Sequence, residues 1–127
     1  MRLRSAAVAA HVAVGQVSTA TSGRAREHKI RRTMEDHGWE AIFRSAGSKG
    51  PADIGMAHEH HGLALVQVGT GSKTLGPADR ARLLRAAWLC SALPIVVQVI
   101  ARPGKPSQLL WWQVTDGPPS TWERWRP

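Results

Sequence analysis

Two nearly continuous apolar runs place the strongest constraint on the fold of this 127-residue chain. They are LALVQV (63–68) and PIVVQVIA (94–101), and each has the length and apolar content of a strand buried on both faces. The segment between them, PADRARLLRAAWLCSA (77–92), has helical spacing, and Pro77 suits a first helical turn. Its predicted core stripe is Leu83, Leu84, Ala87 and Trp88. A helix between two such strands predicts a crossover within one sheet.

The remaining periodic segments supply a helix before the first apolar run and three further strands. GRAREHKIRRTMEDHG (23–38) has helical spacing, whereas WEAIFR (39–44), ADIGMA (52–57) and QLLWWQV (108–114) are typical of strands. The first three strands are close enough in sequence to pair as a meander. The order therefore predicts an α/β fold with a mixed central β-sheet flanked by helices.

The net positive charge of the chain favours polyanions as binding partners. Lys and Arg together number 17 and Asp and Glu 9, so the formal net charge is +8. The single cysteine, Cys90, excludes an internal disulfide, and its apolar surroundings predict a small buried side chain. No apolar run has the length of about 18 residues that a membrane span needs, so we expect no membrane partner and a cytoplasmic location.

The two ends of the chain differ in composition from the middle. The start, MRLRSAAVAAHVAV, weakly resembles a signal peptide, but His11 interrupts the apolar stretch and no clean cleavage site follows. We therefore predict a weakly ordered N-terminal arm (1–22), one compact domain (23–116) and a Pro/Trp-rich C-terminal tail (117–127).

Three polar positions stand out against this pattern. Glu27 shares a helix face with the apolar Ile30 and Met34, and is either an edge residue that reaches water or pairs with an Arg, or a functional carboxylate. Asp53 follows a Gly-Ser-Lys-Gly turn, and Gln67 ends the central strand. Hydrolysis of phosphodiesters commonly uses a divalent cation held by such oxygen ligands on neighbouring strands.

The joint pattern of these segments resembles the Holliday junction resolvases of archaeal and bacteriophage type. The residues that carry the resemblance are the Glu27 helix, Arg-Ser-x-Gly-Ser-x-Gly (44–50), Ala-Asp-Ile (52–54) and Val-Gln-Val (66–68). These resolvases belong to the PD-(D/E)XK nuclease superfamily, and the resemblance covers residues 24–114. It implies a restriction-endonuclease-like core, in most cases a homodimer, and an endodeoxyribonuclease that cuts four-way or branched DNA with Mg²⁺, for which Mn²⁺ can substitute. The Pro/Trp-rich tail is similar to that of phage-borne members, which would work in the host cytoplasm.

The resemblance also implies residue roles. Asp53, Gln67 and Glu27 match the metal ligands, and Arg44 and Ser48 match residues that face the scissile phosphate. Lys49 is placed to bind phosphate as well, and Arg26 is a further candidate for DNA binding.

The family pattern has a catalytic lysine two residues after the second ligand, where this chain has Gly69. Lys73, in a Gly-rich loop, is the favoured substitute, and Lys49 is the alternative. Gly69 also allows a second interpretation, in which the protein is catalytically impaired but keeps the nuclease fold and binds branched DNA.

Two further features have competing interpretations. The run His-Glu-His-His (58–61) suggests zinc, but ligands for structural zinc normally come from two separated segments, and a polar hairpin connection is favoured. The tryptophans 111, 112, 122 and 125 are expected in a core or interface rather than stacked on bases.

Overall fold

The computed structural model describes residues 19–44, 50–70 and 75–127. The helices are α1 (Thr19–Glu35) and α2 (Pro77–Cys90), with a short 3-10 helix at Pro119–Thr121. The strands are β1 (Glu40–Arg44), β2 (Ile54–His58), β3 (Gly62–Thr70), β4 (Ala92–Arg102), β5 (Lys105–Gln113) and β6 (Glu123–Arg124). In these three ranges no helix is long and apolar enough to cross a membrane.

The described strands form one mixed sheet in the order β1-β2-β3-β4-β5-β6. β1, β2 and β3 pair as an antiparallel meander, β3 and β4 are parallel, and β5 and β6 continue antiparallel. Because β3 and β4 run in the same direction, the chain between them must return across the sheet, and α2 makes that return. The predicted α/β fold with a mixed sheet is confirmed.

The alternation of side chains along the strands divides the core into two layers. On one face, Ile30 and Met34 of α1 pack against a cluster that includes Ile54, Val66 and Val97. On the other face, the partners are Leu83 and Ala87 of α2, which pack against Leu65 and Val96. We call these the α1 face and the α2 face of the sheet.

Element bounds differ from the predicted ones mainly at helix ends. α1 begins at Thr19, within the segment predicted as an arm, and it ends at Glu35 rather than at residue 38. The chain then turns through Gly38, whose φ of +93° strains any residue with a Cβ. This turn carries the fully packed Trp39 into the core at 2% exposure.

Two predictions for α2 are wrong. Trp88, expected in the core stripe, is 77% exposed, and Cys90, expected to be buried, is exposed. The reason is the helix phase. Each residue advances about 100° around a helix, and the buried line of α2 runs through Leu83 and Ala87. Trp88 therefore points away from the sheet.

The C-terminal residues pack on the sheet. Trp122 is 5% exposed, its indole N–H donates to the carbonyl oxygen of Gly117 at 3.2 Å, and β6 pairs with β5. Trp125 lies edge-on to Trp39 with ring centroids 5.7 Å apart. Trp111 is also buried, so the tryptophans of this region fill the core as predicted. The division of the chain into arm, domain and tail stays a prediction.

Trp122 and Trp88 form a matched pair that tests this packing. We expect Trp122→Ala to lower the free energy of unfolding by about 3–5 kcal/mol, because a large buried ring is removed. Trp88→Ala should change it by no more than about 0.5 kcal/mol, because an exposed side chain is removed. Urea denaturation followed by circular dichroism measures both, and equal effects of the two substitutions would contradict the structure.

Candidate active site

Asp53 is a buried carboxylate at the start of β2, opposite the end of β3. Its side chain is held in place by the neighbouring strand, since Oδ2 accepts a hydrogen bond from the backbone N–H of Val68 at 2.8 Å. Its own backbone N–H donates to the carbonyl oxygen of Val66 at 2.9 Å. The residue is only 3% exposed. The strand pairing thus fixes where this carboxylate lies.

The second carboxylate oxygen of Asp53 has no such support. Among the described residues, Oδ1 is buried and has no hydrogen-bond partner. A buried oxygen without a partner loses its hydration and gains nothing in return, at a cost of about 1–3 kcal/mol or more for a charged group. A divalent cation is a ligand that would satisfy this oxygen, so Asp53 fits the predicted metal-ligand role.

Glu27 of α1 faces the same region. Its side chain is 16% exposed, and its Oε1 lies 3.2 Å from Nε of Arg44 at the end of β1. Burial raises the pKa of the Glu27 carboxyl, and the negative charge of Asp53 raises it further. The positive charges of Arg44 and Arg24 act in the opposite direction. Two carboxylates and a guanidinium therefore interact electrostatically near α1.

Gln67 lies on the α2 face. It pairs with Val96, which packs against α2, whereas its neighbours Val66 and Val68 pack on the α1 face. Gln67 lines a recess of about 170 Å³. The other described residues that line this recess are Gly50, Pro51, Asp79 and Arg82. Glu27, Arg44 and Asp53 thus interact electrostatically. The Gln67 side chain, which the β2–β3 register places beside Asp53, faces α2.

For four further predicted site residues the structure gives little or no information on their role. Ser48, Lys49 and Lys73 lie outside the described residues. Arg26 lies on α1 and is partly exposed. The roles predicted for all four stay predictions, as does the assignment of Gln67 as a metal ligand.

Within the described ranges, no three His, Cys, Asp or Glu side chains come close enough to hold a metal ion. A cation at Asp53 would therefore have at most one further His, Cys, Asp or Glu ligand from these ranges and would draw its other ligands from neutral oxygens.

The histidine run forms the predicted hairpin connection between β2 and β3. Nδ1 of His58 accepts backbone N–H groups from His60 at 3.0 Å and His61 at 3.3 Å. The proton of the neutral ring is therefore on Nε2, which donates to the carbonyl oxygen of His37 at 3.2 Å. Nδ1 of His58 thus stabilises the hairpin, and Nε2 joins it to the turn that follows α1.

Asp79 and Arg82 line the recess beside Gln67, and the sequence motifs did not place them there. Both lie near the start of α2, the helix that follows the β3 loop. The available signal was topological, because polar residues that follow the carboxyl end of a parallel strand gather at that edge of the sheet.

The electrostatic coupling at Glu27 can be measured directly. We expect Asp53→Asn to lower the pKa of Glu27, because a neighbouring negative charge is removed. Arg44→Gln should raise the pKa, because a positive charge and a hydrogen bond are lost. Carbon-13 NMR titration of the Glu27 carboxyl reports both shifts, with Arg85→Gln as the control. An unchanged pKa of Glu27 in the first two variants would contradict this geometry.

Comparison with known proteins supports the fold. No protein-family model and no curated protein matches this chain. Among solved structures, it is similar to Archaeoglobus fulgidus Hjc, a Holliday junction resolvase from an archaeal hyperthermophile. The TM-score is 0.54 at 18% sequence identity, and the match covers 71% of this chain and 75% of that chain. The mixed sheet with two flanking helices is thus the restriction-endonuclease-like fold of that resolvase.

Proposed function

We propose that this protein is a Mg²⁺-dependent, structure-selective endonuclease that cuts four-way or branched DNA junctions. The observation that carries the proposal is the buried Asp53 carboxylate, one oxygen of which has no hydrogen-bond partner among the described residues and whose charge acts on Glu27. A fold shared with a junction resolvase supports the choice of substrate. Fold alone does not determine function, and the chemistry of these carboxylates is therefore the main support for nuclease activity.

The carboxylate pair suits a hard divalent cation. Asp53 and Glu27 would hold Mg²⁺ or Mn²⁺, with Gln67 and a main-chain carbonyl near Val68 as further predicted oxygen ligands. When bound, such a cation supplies positive charge that stabilises the negative charge developing on the scissile phosphate. Burial raises the pKa of Glu27 most and the negative charge of Asp53 raises it further, and both are causes expected of a site that binds a cation.

Hydrolysis of the phosphodiester requires a defined set of bond and proton changes. The oxygen of a water molecule bonds to phosphorus and one bridging P–O bond breaks. The water loses one proton and the leaving oxygen gains one. Arg44, which is 51% exposed and pairs with Glu27, can turn towards a DNA phosphate while it remains near the carboxylates. The net charge of +8 favours binding to the DNA backbone.

A second candidate function follows from Gly69. It lies in β3 and pairs with Gln98 of β4, and a glycine there supplies no ammonium group. A branched-DNA-binding protein that keeps the nuclease fold without cleavage would show this substitution. For either function we propose a homodimer in the cytoplasm, which would be the host cytoplasm if a phage encodes the protein.

Asp53→Asn tests the proposed function. The amide is nearly isosteric but neutral, so we expect cleavage of a four-way junction to be abolished while junction binding is retained. Electron paramagnetic resonance should show loss of bound Mn²⁺ in the same variant. The matched control is Asp116→Asn, which neutralises an exposed aspartate and should behave as wild type. Undiminished cleavage by Asp53→Asn would overturn the assignment.

A further inference from the structure

The recess on the α2 face lies where a lysine at position 69 would project. Side chains alternate along a strand, so Gln67 and residue 69 point to the same face of β3. The β4 residues that pair with these two positions also face α2. Val96, opposite Gln67, packs against α2, and Gln98, opposite Gly69, accepts a hydrogen bond from Trp112 on that face at 3.3 Å. The space beside Gln67 is therefore where the family's lysine would lie.

Arg82 of α2 reaches this same space. Its side chain lines the recess together with Gln67 and is 55% exposed, so it remains accessible to a ligand from solvent. Its Nη1 lies 3.8 Å from Oδ1 of Asp79, one helical turn earlier. That carboxylate restricts the directions in which the guanidinium can point.

We propose that Arg82 supplies the cationic group for the scissile phosphodiester in place of the strand lysine, with Asp79 as its positioning residue. This inference rests on the proposed nuclease function. It differs from the sequence-based expectation that Lys73 or Lys49 replaces the missing lysine. Arg44 and Arg24 also act on Glu27, but Arg44 pairs with that carboxylate and neither of them lines the recess beside Gln67.

The chemistry of arginine determines what this group can do. A guanidinium stays protonated in proteins, so Arg82 cannot take the proton of the attacking water. It can donate two parallel hydrogen bonds to non-bridging phosphate oxygens and stabilise the charge that grows there. The water proton must leave to solvent or to another group, while the leaving oxygen is protonated in turn. Arg82 would therefore stabilise negative charge on the phosphate and would not transfer a proton.

The test is single-turnover cleavage of a labelled four-way junction, with junction affinity measured in parallel. We expect Arg82→Ala to slow cleavage by about 100-fold, the usual cost of losing one donor to a developing negative charge. Junction affinity should stay within about threefold, because one phosphate contact among many is lost. The matched control, Arg85→Ala, removes an exposed arginine three residues along the same helix and should cleave as wild type.

Two lysine variants separate a cationic role from a structural one. Arg82→Lys restores a positive charge on the helix, and Gly69→Lys added to Arg82→Ala restores one on the strand. We expect at least one of them to recover about tenfold or more of the lost rate. A structural defect of Arg82→Ala would not respond to a lysine on β3.

The outcomes are distinguishable. Wild-type-like cleavage by Arg82→Ala would overturn the inference while leaving the nuclease function intact. So would a slower rate matched by an equal loss of junction affinity, or a loss that neither lysine repairs. If wild type itself fails to cut any branched DNA, the proposed function fails, and the role of Arg82 fails with it.

Discussion

The hydrogen bond from the backbone N–H of Val68 to Oδ2 of Asp53 is the interaction on which the candidate site depends. It joins the start of β2 to the end of β3 and uses one oxygen of the carboxylate. The other oxygen is left buried without a partner among the described residues. A chain stabilised only for folding would gain by removing this group. Its presence is therefore a stability cost, which the proposed binding of a cation would explain.

The sheet divides the chemistry of the site between its two faces. Glu27 and Arg44 approach Asp53 from the α1 face, whereas Gln67, Asp79 and Arg82 surround the recess on the α2 face. The proposed role of Arg82 would make Gly69 compatible with cleavage, because a helix residue would present the charge that the strand lacks.

Much of the fold could be predicted from the sequence because its signals are local. The apolar runs of β3 and β4, and the alternation of β1, are properties of neighbouring residues. The errors at Trp88 and Cys90 arose because helix phase depends on which line of α2 meets the sheet, and that is a tertiary choice. The family resemblance predicted a shared site for Glu27, Asp53 and Gln67, whereas the direction of the Gln67 side chain could be found only from the strand register. Arg82 could not be found from motif spacing, since its role depends on the packing of α2 beside β3.

The most direct test of this account compares cleavage of a four-way junction with cleavage of the matching linear duplex by the wild-type protein. Each substrate would be incubated with Mg²⁺, with Mn²⁺ and with EDTA. The account predicts paired cuts in the junction that require either metal, little or no cutting of the linear duplex, and no cutting in EDTA. Junction binding without cleavage in both metals would contradict it, and would indicate a DNA-binding protein built on a nuclease fold.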